Sequence, residues 1–521
     1  MNKAITLSIL AITSAALAEN PTVTPKKPAI SNGCFQVGTV EELYGFAAAI
    51  NGTDGFEQDS KTDCVEITSN IVVNENVLNK DGDLAQDTSS YILWNPPSYF
   101  VGTIKGNGNT IAGLVIIDDA KKYQNVGFIR SGGGTMEDLR FKDIYVEDGD
   151  ASVYHYVGGI FGKNAASGNT NYGINLKKVS FAGTVLTASY MPVGGIVGKH
   201  SARLTLEDVH VSGKVKSPSK AGGFTGEADD IIAIRSTNEA NVVSEGDYAG
   251  GFVGYASGNF RVEMSFTESC NKGNVNGYKA AAGFIGYMGY AKASIFNSYN
   301  SGDLDGRDYI GGLVGAHKAG ESPELTIYNS YSVGTISKRS FTYYSGLLGQ
   351  SHSDKALDLK NSFFIKDTLY NDTALFYGEA IPANSFEDGT LLASLQQFEQ
   401  DSINGSVWDQ DLDSDKFPVL EKRNKKINIG TDDDTEDKEE KNEKDAIIST
   451  AFLNTPILVT TEGHHVRISG LQSGHKFAIF DLKGNILRQG IATESSVALE
   501  VPHNGIFLVR INGMSKIIKV R

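Results

Sequence analysis

The sequence predicts an all-β chain: a parallel β-helix (β-solenoid) with an N-terminal helical cap, followed by a small C-terminal β-sandwich. Three observations carry that expectation. A glycine-flanked apolar pentapeptide returns seven times at intervals near thirty residues, an Asn-Ser-aromatic triplet repeats with a similar period, and the last 75 residues fall into short alternating strands behind an acidic run. A period of that size marks a solenoid, in which no repeat buries its apolar face until a neighbour stacks on it. Composition agrees: 58 of 521 residues are Gly and only 12 are Pro, an excess over the usual ~7% Gly without the proline of a disordered chain. The net charge of −15 argues against nucleic acid as a partner, which needs clustered Lys and Arg.

The chain opens with Met1-Asn2-Lys3, an apolar run from Ala4 to Ala15 and Ala16-Leu17-Ala18. A short positive start, an apolar stretch too short to span a bilayer and an A-x-A site predict a signal peptide over 1–18. Export makes a Cys34–Cys64 disulfide reasonable. Such a closure adds roughly 3–4 kcal/mol by restricting the unfolded chain. Cys270 is left over and reads as a buried free thiol rather than a nucleophile.

Residues 19–100 read as a linker and cap containing one amphipathic helix. Thr39-Val40-Glu41-Glu42 has capping-box spacing, Leu43, Phe46, Ala47 and Ile50 recur at helical intervals, and Gly52 is placed to stop the helix. The stripe has to be buried, and the open end of a repeat array offers a place. A separate small domain is the alternative.

The repeats occupy 101–425. They are Gly158-Gly159-Ile160-Phe161-Gly162, Gly194-Gly195-Ile196-Val197-Gly198, Gly222-Gly223-Phe224-Thr225-Gly226, Gly250-Gly251-Phe252-Val253-Gly254, Ala282-Gly283-Phe284-Ile285-Gly286, Gly311-Gly312-Leu313-Val314-Gly315 and Ser345-Gly346-Leu347-Leu348-Gly349, with Val126-Gly127-Phe128-Ile129 as a degenerate first copy. Steps between the second glycines are 36, 28, 28, 32, 29 and 34 residues. The interiors are short Val, Ile, Thr and Phe runs broken by Gly, Asn and Ser, which is strand rather than helix patterning. Asn297, Asn329 and Asn361 each stand 32 residues apart, predicting an amide ladder at a turn. A further column holds Tyr156, Tyr248, Tyr309 and Tyr343, each three residues before the marked Gly. These tyrosines are the candidate ligand-binding residues, as rings that could stack on sugars; ring-on-ring packing between coils is the structural alternative.

The Gly-Gly-apolar-apolar-Gly series resembles the GLUG motif of bacterial secreted and surface proteins, which include adhesins and some peptidases. The likeness covers about residues 100–420, and Val407-Trp408-Asp409 to Phe417-Pro418-Val419-Leu420 resembles the segment that closes such arrays. Thr225, Ala282, Ser345 and the uneven spacing depart from the pattern. The resemblance implies a secreted right-handed β-helix of adhesin type.

Residues 426–446 read as a disordered acidic linker: Thr431 to Asp445 holds nine acids, three lysines and no apolar residue. Residues 447–521 then alternate as Val466-Arg467-Ile468, Phe477 to Phe480, Val497 to Val501 and Phe507 to Ile511, the pattern of a small sandwich. Ile468-Ser469-Gly470-Leu471, Asp481-Leu482-Lys483-Gly484 and Gly505 to Arg510 resemble the C-terminal sorting domain of type IX secretion. Ile506-Phe507 stands where a Tyr-containing pair is frequent. That resemblance implies passage through the periplasm to the cell surface or medium, with the outer-membrane secretion machinery as partner.

No G-x-S-x-G, H-E-x-x-H or C-x-x-C occurs, so the sequence points to no catalytic set, no metal set and no cofactor. His200 and His317 each follow a motif Gly by two residues and read as turn residues, four coils and roughly 19 Å apart at ~4.8 Å per coil. Asp409, Asp411, Asp413 and Asp415 alternate like calcium ligands, without the Gly and Glu that such a loop needs. Asp118-Asp119 and Asp229-Asp230 are adjacent pairs whose members face opposite ways on a strand. Asp138, Asp143 and Glu147 are candidates by composition alone. The expected function is binding or adhesion to extracellular polysaccharide, host glycan or matrix. A polysaccharide lyase or hydrolase and a pure spacer are the alternatives.

Overall fold

The computed structural model describes residues 20–420 and 458–520, apart from short internal stretches such as 119–124, 258–262, 319–324, 339–342, 352–356, 367–376 and 401–406. The predicted signal peptide and acidic linker lie outside the described residues. The chain is mostly β, built as a parallel solenoid of about nine turns, with small antiparallel sheets at the C-terminus.

One coil shows how the repeat folds. Tyr248–Gly250, Val253–Ala256, Glu263–Thr267, Cys270–Asn271 and Val275–Gly277 are its strands. Each pairs in parallel with its counterpart in the next coil, Ala280–Ala282, Ile285–Met288, Lys292–Phe296, Tyr299–Asn300 and Leu304–Gly306. The strand that enters the pentapeptide recurs in eight coils, from Asn125–Val126 to Tyr343–Ser345, as an eight-stranded parallel sheet. The degenerate copy at Val126 is thus a true coil, with Val126 opposite Val157.

The second motif glycine is required by close approach. A Cβ on Gly223, Gly251 or Gly283 would meet the carbonyl oxygen of the next coil's motif glycine at 2.1, 2.1 and 2.6 Å. From across the coil, Asn238, Asn271 and Asn300 fill the same space. These three amides form their own internal ladder, each Nδ2 donating to the next Oδ1 at 2.7 Å. The third motif position points inward, and the rings of Phe224, Phe252 and Phe284 stack at 4.6 and 4.7 Å in the core.

The predicted Asn ladder is present at a corner of the coil, with Asn297 and Asn329 buried. Asn329 Nδ2 donates to Asn297, and Asn361 Nδ2 to Asn329, both at 2.6 Å. All three residues are left-handed, with φ of 47°, 50° and 45°, a conformation Asn tolerates better than most side chains. Earlier coils turn the same corner on Asp138, Lys178, Asp208, Arg235 and Glu268, also at positive φ. Arg235 there donates to Asp208 at 2.7 Å and Glu207 at 2.9 Å.

At the N-terminus the parallel ladder already runs through the stretch assigned to a cap. Cys34–Val37 pairs with Cys64–Ile67, which pairs with Phe100–Lys105. Helix α1, Val40–Asn51, crosses between the first two strands. Thr39 caps it by accepting from the Glu42 amide, Glu42 accepts from Gly38 N–H at 3.0 Å, and Gly52 ends it in the left-handed region. Leu43, Phe46, Ala47 and Ile50 are buried, with the Phe46 ring edge-on to Phe100 at 5.5 Å.

Two helices at the other end escaped sequence reading: α2, Asn384–Glu387, and α3, Thr390–Gln400. With the antiparallel pair Trp408–Asp409 and Val419–Leu420, they bury an outward column of Cys270, Tyr299, Tyr331 and Phe363. The C-terminal unit has a three-stranded and a four-stranded antiparallel sheet sharing one core of Val466, Ile468, Phe477, Ile479, Val501 and Val509. Strands at Leu458–Glu462, Ile486–Ile491 and Met514–Val520 add to the predicted ones.

Candidate functional site

The four candidate tyrosines share one register position. Tyr248 aligns with Ala280, then Tyr309, then Tyr343. Tyr156 stands three coils upstream, its neighbour Val157 aligning through Val193 and Ala221 with Ala249. The row is therefore broken by Pro192, Lys220 and Ala280. Only Tyr309 and Tyr343 stack within it, at 5.9 Å.

A second column, one residue past the motif, completes the surface. Glu227 aligns with Tyr255 and Tyr255 with Tyr287. Tyr248 stacks on Tyr287 at 4.6 Å and on Tyr255 at 5.7 Å, so ring packing between coils and a half-exposed aromatic surface coexist. Tyr255 and Tyr287 were legible as residues that directly follow Gly254 and Gly286. Cations sit over these rings: Lys220 lies 4.3 Å from Tyr255, Lys199 5.5 Å from Tyr156 and Lys279 6.0 Å from Tyr248. Glu227 holds Lys199 and Lys220 at 2.7 and 2.5 Å, and Asp247 holds Lys279 at 2.5 Å. Burial, with neighbouring acids and rings, pushes the Tyr248 phenol up to about 12. It stays a neutral donor. Tyr343 is the most open member, 53% exposed.

Other sequence candidates resolve into structure. Cys34 and Cys64 form a disulfide between adjacent parallel strands, and Cys270 is a buried free thiol. His200 and His317 are not turn residues. Both lie in strands, wholly buried, because the bend comes after them, and Ala228 next to His200 leaves room for a ring inside. His200 Nδ1 accepts from the Ala202 amide at 3.4 Å, and burial lowers its pKa to about 4. Asp230 takes Arg203 at 2.9 Å and Asp229 accepts from Ser257. Asp143 accepts from the amides of Val77 and Leu78, and Glu147 accepts from the Tyr145 hydroxyl. Asp411 and Asp415 accept hydrogen bonds within their own turn.

One cluster was missed. Asp118 and Asp148, thirty residues apart, align in neighbouring coils, and His155 joins them. Their ligand atoms lie within 4.8 Å of one another, and the residues are 1%, 0% and 8% exposed. His155 Nδ1 is 3.5 Å from Asp118 Oδ2 and 3.6 Å from Asp148 Oδ1. Thr187 donates to Asp148 Oδ2 at 3.2 Å. Desolvation raises the Asp148 pKa, against the opposing pull of His155. The thirty-residue spacing of the acids was a usable signal; the arrival of His155 from outside the ladder was not.

No family model matches the chain, and no curated protein matches it in sequence. Among solved structures it is similar to a Bacteroides ovatus protein provisionally described as an immunoglobulin A1 protease, at 12% identity and a TM-score of 0.32 over 76% of this chain and 95% of that one. It is also similar to a protein described as an IgA1 protease, at 16% identity and a TM-score of 0.36 over 69% of this chain. The chain spans about a quarter of that second protein, 24%.

Proposed function

We propose that this chain is an exported GLUG-type solenoid that binds extracellular polysaccharide or host and matrix glycans through the tyrosine–lysine face. The observation that carries the reading is the Tyr248–Tyr255–Tyr287 stack, continued by Tyr309 and the open ring of Tyr343. Aromatic faces are electron-rich and attract the positive C–H edges of a sugar ring, while Lys and Tyr heads supply donors for hydroxyls. A glycoside-hydrolase reading would need two carboxylates in an open groove, and the aligned pair Asp118 and Asp148 is buried; a lyase would need a base beside a cation site. The test is retention on immobilised plant and host glycans, comparing the wild-type chain with a variant carrying Tyr248→Ala, Tyr309→Ala and Tyr343→Ala. Loss of retention with an unchanged far-UV spectrum is expected; undiminished retention would sink the reading.

The same proposal places the protein at the cell surface or in the medium, delivered through the periplasm by a signal peptide over 1–18 and a sorting domain over 447–521. The Cys34–Cys64 disulfide supports an oxidising destination. The resemblance of Gly505 to Arg510 to the type IX sorting family supports the route. Deleting 447–521 should hold the protein in the periplasm, and normal export of the shortened chain would overturn the assignment.

A further inference from the structure

We propose that Asp118, Asp148 and His155 bind one divalent transition-metal ion of zinc-like size and softness. Asp118 ends one strand and Asp148 the aligned strand of the next coil, so two carboxylates are stacked where almost no water reaches them. Like charges held together out of water repel, and a cation between them relieves the repulsion.

His155 is 8% exposed, and its Nδ1 has no hydrogen-bond partner. It faces both carboxylates at 3.5 and 3.6 Å, beyond the 2.7–3.2 Å of ordinary N–H···O bonds. Ligands about 2.0–2.1 Å from a tetrahedral ion stand about 3.4 Å from one another. The two histidine–carboxylate spacings therefore suit donors around a common point better than a direct bond, and all three ligand atoms lie within 4.8 Å of one another.

The donor set selects the ion. Two carboxylate oxygens and an imidazole nitrogen suit zinc, cobalt or manganese, whereas calcium and magnesium prefer all-oxygen shells. A supporting shell is in place: Thr187 Oγ1 donates to Asp148 Oδ2 at 3.2 Å and Asp150 N–H to Asp148 Oδ1 at 3.4 Å. The acids are also confined to this corner. The same register position becomes Thr187 in the next coil, and further along Ser217 aligns with Ser244 and Ser244 with Gly277. Stacked carboxylates are thus no general requirement of the fold; they occur where His155 reaches them. Among the described residues, these three are the donors gathered at this point.

The experiment uses the mature chain, without a histidine tag, stripped by chelator and titrated with zinc chloride and separately with cobalt chloride. One zinc per chain after desalting, a higher unfolding midpoint with zinc, and a visible cobalt spectrum are expected. Asp118→Asn and His155→Gln should each weaken zinc binding at least tenfold and abolish the midpoint rise, with the far-UV spectrum unchanged. If Asp118→Asn does not fold, His155→Gln, which lies outside the ladder, carries the comparison. Zinc uptake by wild type no greater than that of His155→Gln would overturn the proposal. It would leave the three groups as a proton-sharing bridge.

Discussion

Replacing Gly251 with Ala tests the stacking on which the rod depends. The added methyl would lie 2.1 Å from the Gly283 carbonyl oxygen and 2.3 Å from Asn271 Oδ1, where ordinary contact begins near 3.4 Å. One side must therefore retreat by roughly 1 Å. Gly283 cannot do so freely, because its own amide bonds Gly312 in the following coil at 3.2 Å. Asn271 is held by Asn238 and Asn300 at 2.7 Å and by Gly273 O at 2.8 Å. Overpacking costs about 1–3 kcal/mol and an unpaired buried amide about 1–3 kcal/mol, so the substitution should cost about 2–6 kcal/mol. Gly149→Ala is the control, since a methyl there meets nothing within 4 Å, and it should change stability by less than about 0.5 kcal/mol. Urea unfolding followed by circular dichroism gives the difference. Amide exchange should quicken first in the coils flanking Gly251, because solenoid coils contact only their neighbours. If Gly251→Ala unfolded within about 0.5 kcal/mol of wild type, glycine-on-glycine packing would not be what sets the register.

Cys34→Ser with Cys64→Ser opens a cross-link spanning 30 residues and should lower stability by about 3–4 kcal/mol; equal urea midpoints for the oxidised protein and the double variant would refute this. His200 titrates near 4 in the fold and near ~6.5 when unfolded, so between those values the unfolded chain binds the extra proton. Its contribution is complete above ~6.5 and disappears as pH falls to about 4, amounting to about 3 kcal/mol. His200→Leu should flatten that part of the stability–pH curve, and an unchanged slope would show that another group causes it.

Much of the rod could be read from sequence because its constraints are one-sided. Only glycine fits opposite Asn238, Asn271 and Asn300, so the pentapeptide marks the coil. Asn297, Asn329 and Asn361 mark the corner by the φ they adopt. Helices α2 and α3 were missed because their stripe, Phe386, Leu391 and Leu395, is short and meets a surface that only folding assembles. His200 was misplaced because a position two residues past a glycine does not say whether the bend comes before or after it. At the tyrosine face, column membership was legible, but the contribution of Tyr255 and Tyr287 depends on two strands meeting. Asp118 and Asp148 were one period apart in the sequence. Their significance rests on His155, which obeys no period.

The column covered by α3 bounds how the array can change length. Along that register position the chain places Thr110, Arg140, Ser180, His210 and Thr237, then Cys270, Tyr299, Tyr331 and Phe363, and then Glu379. The change from polar to apolar coincides with the rungs that the closing segment overlays. Duplicating the His210 or Thr237 rung adds height without baring that column, whereas the rungs of Val115, Tyr145 and Leu186 before them carry apolar side chains overlaid by residues 77–93. Duplicating one among the apolar ones leaves an aromatic bare, and deleting one strands the overlay against a polar group. Growth and loss of rungs are thus penalised at both ends, where residues 77–93 and the closing segment overlay apolar side chains, and tolerated between them, so relatives of different length should differ in rungs near His210 and Thr237.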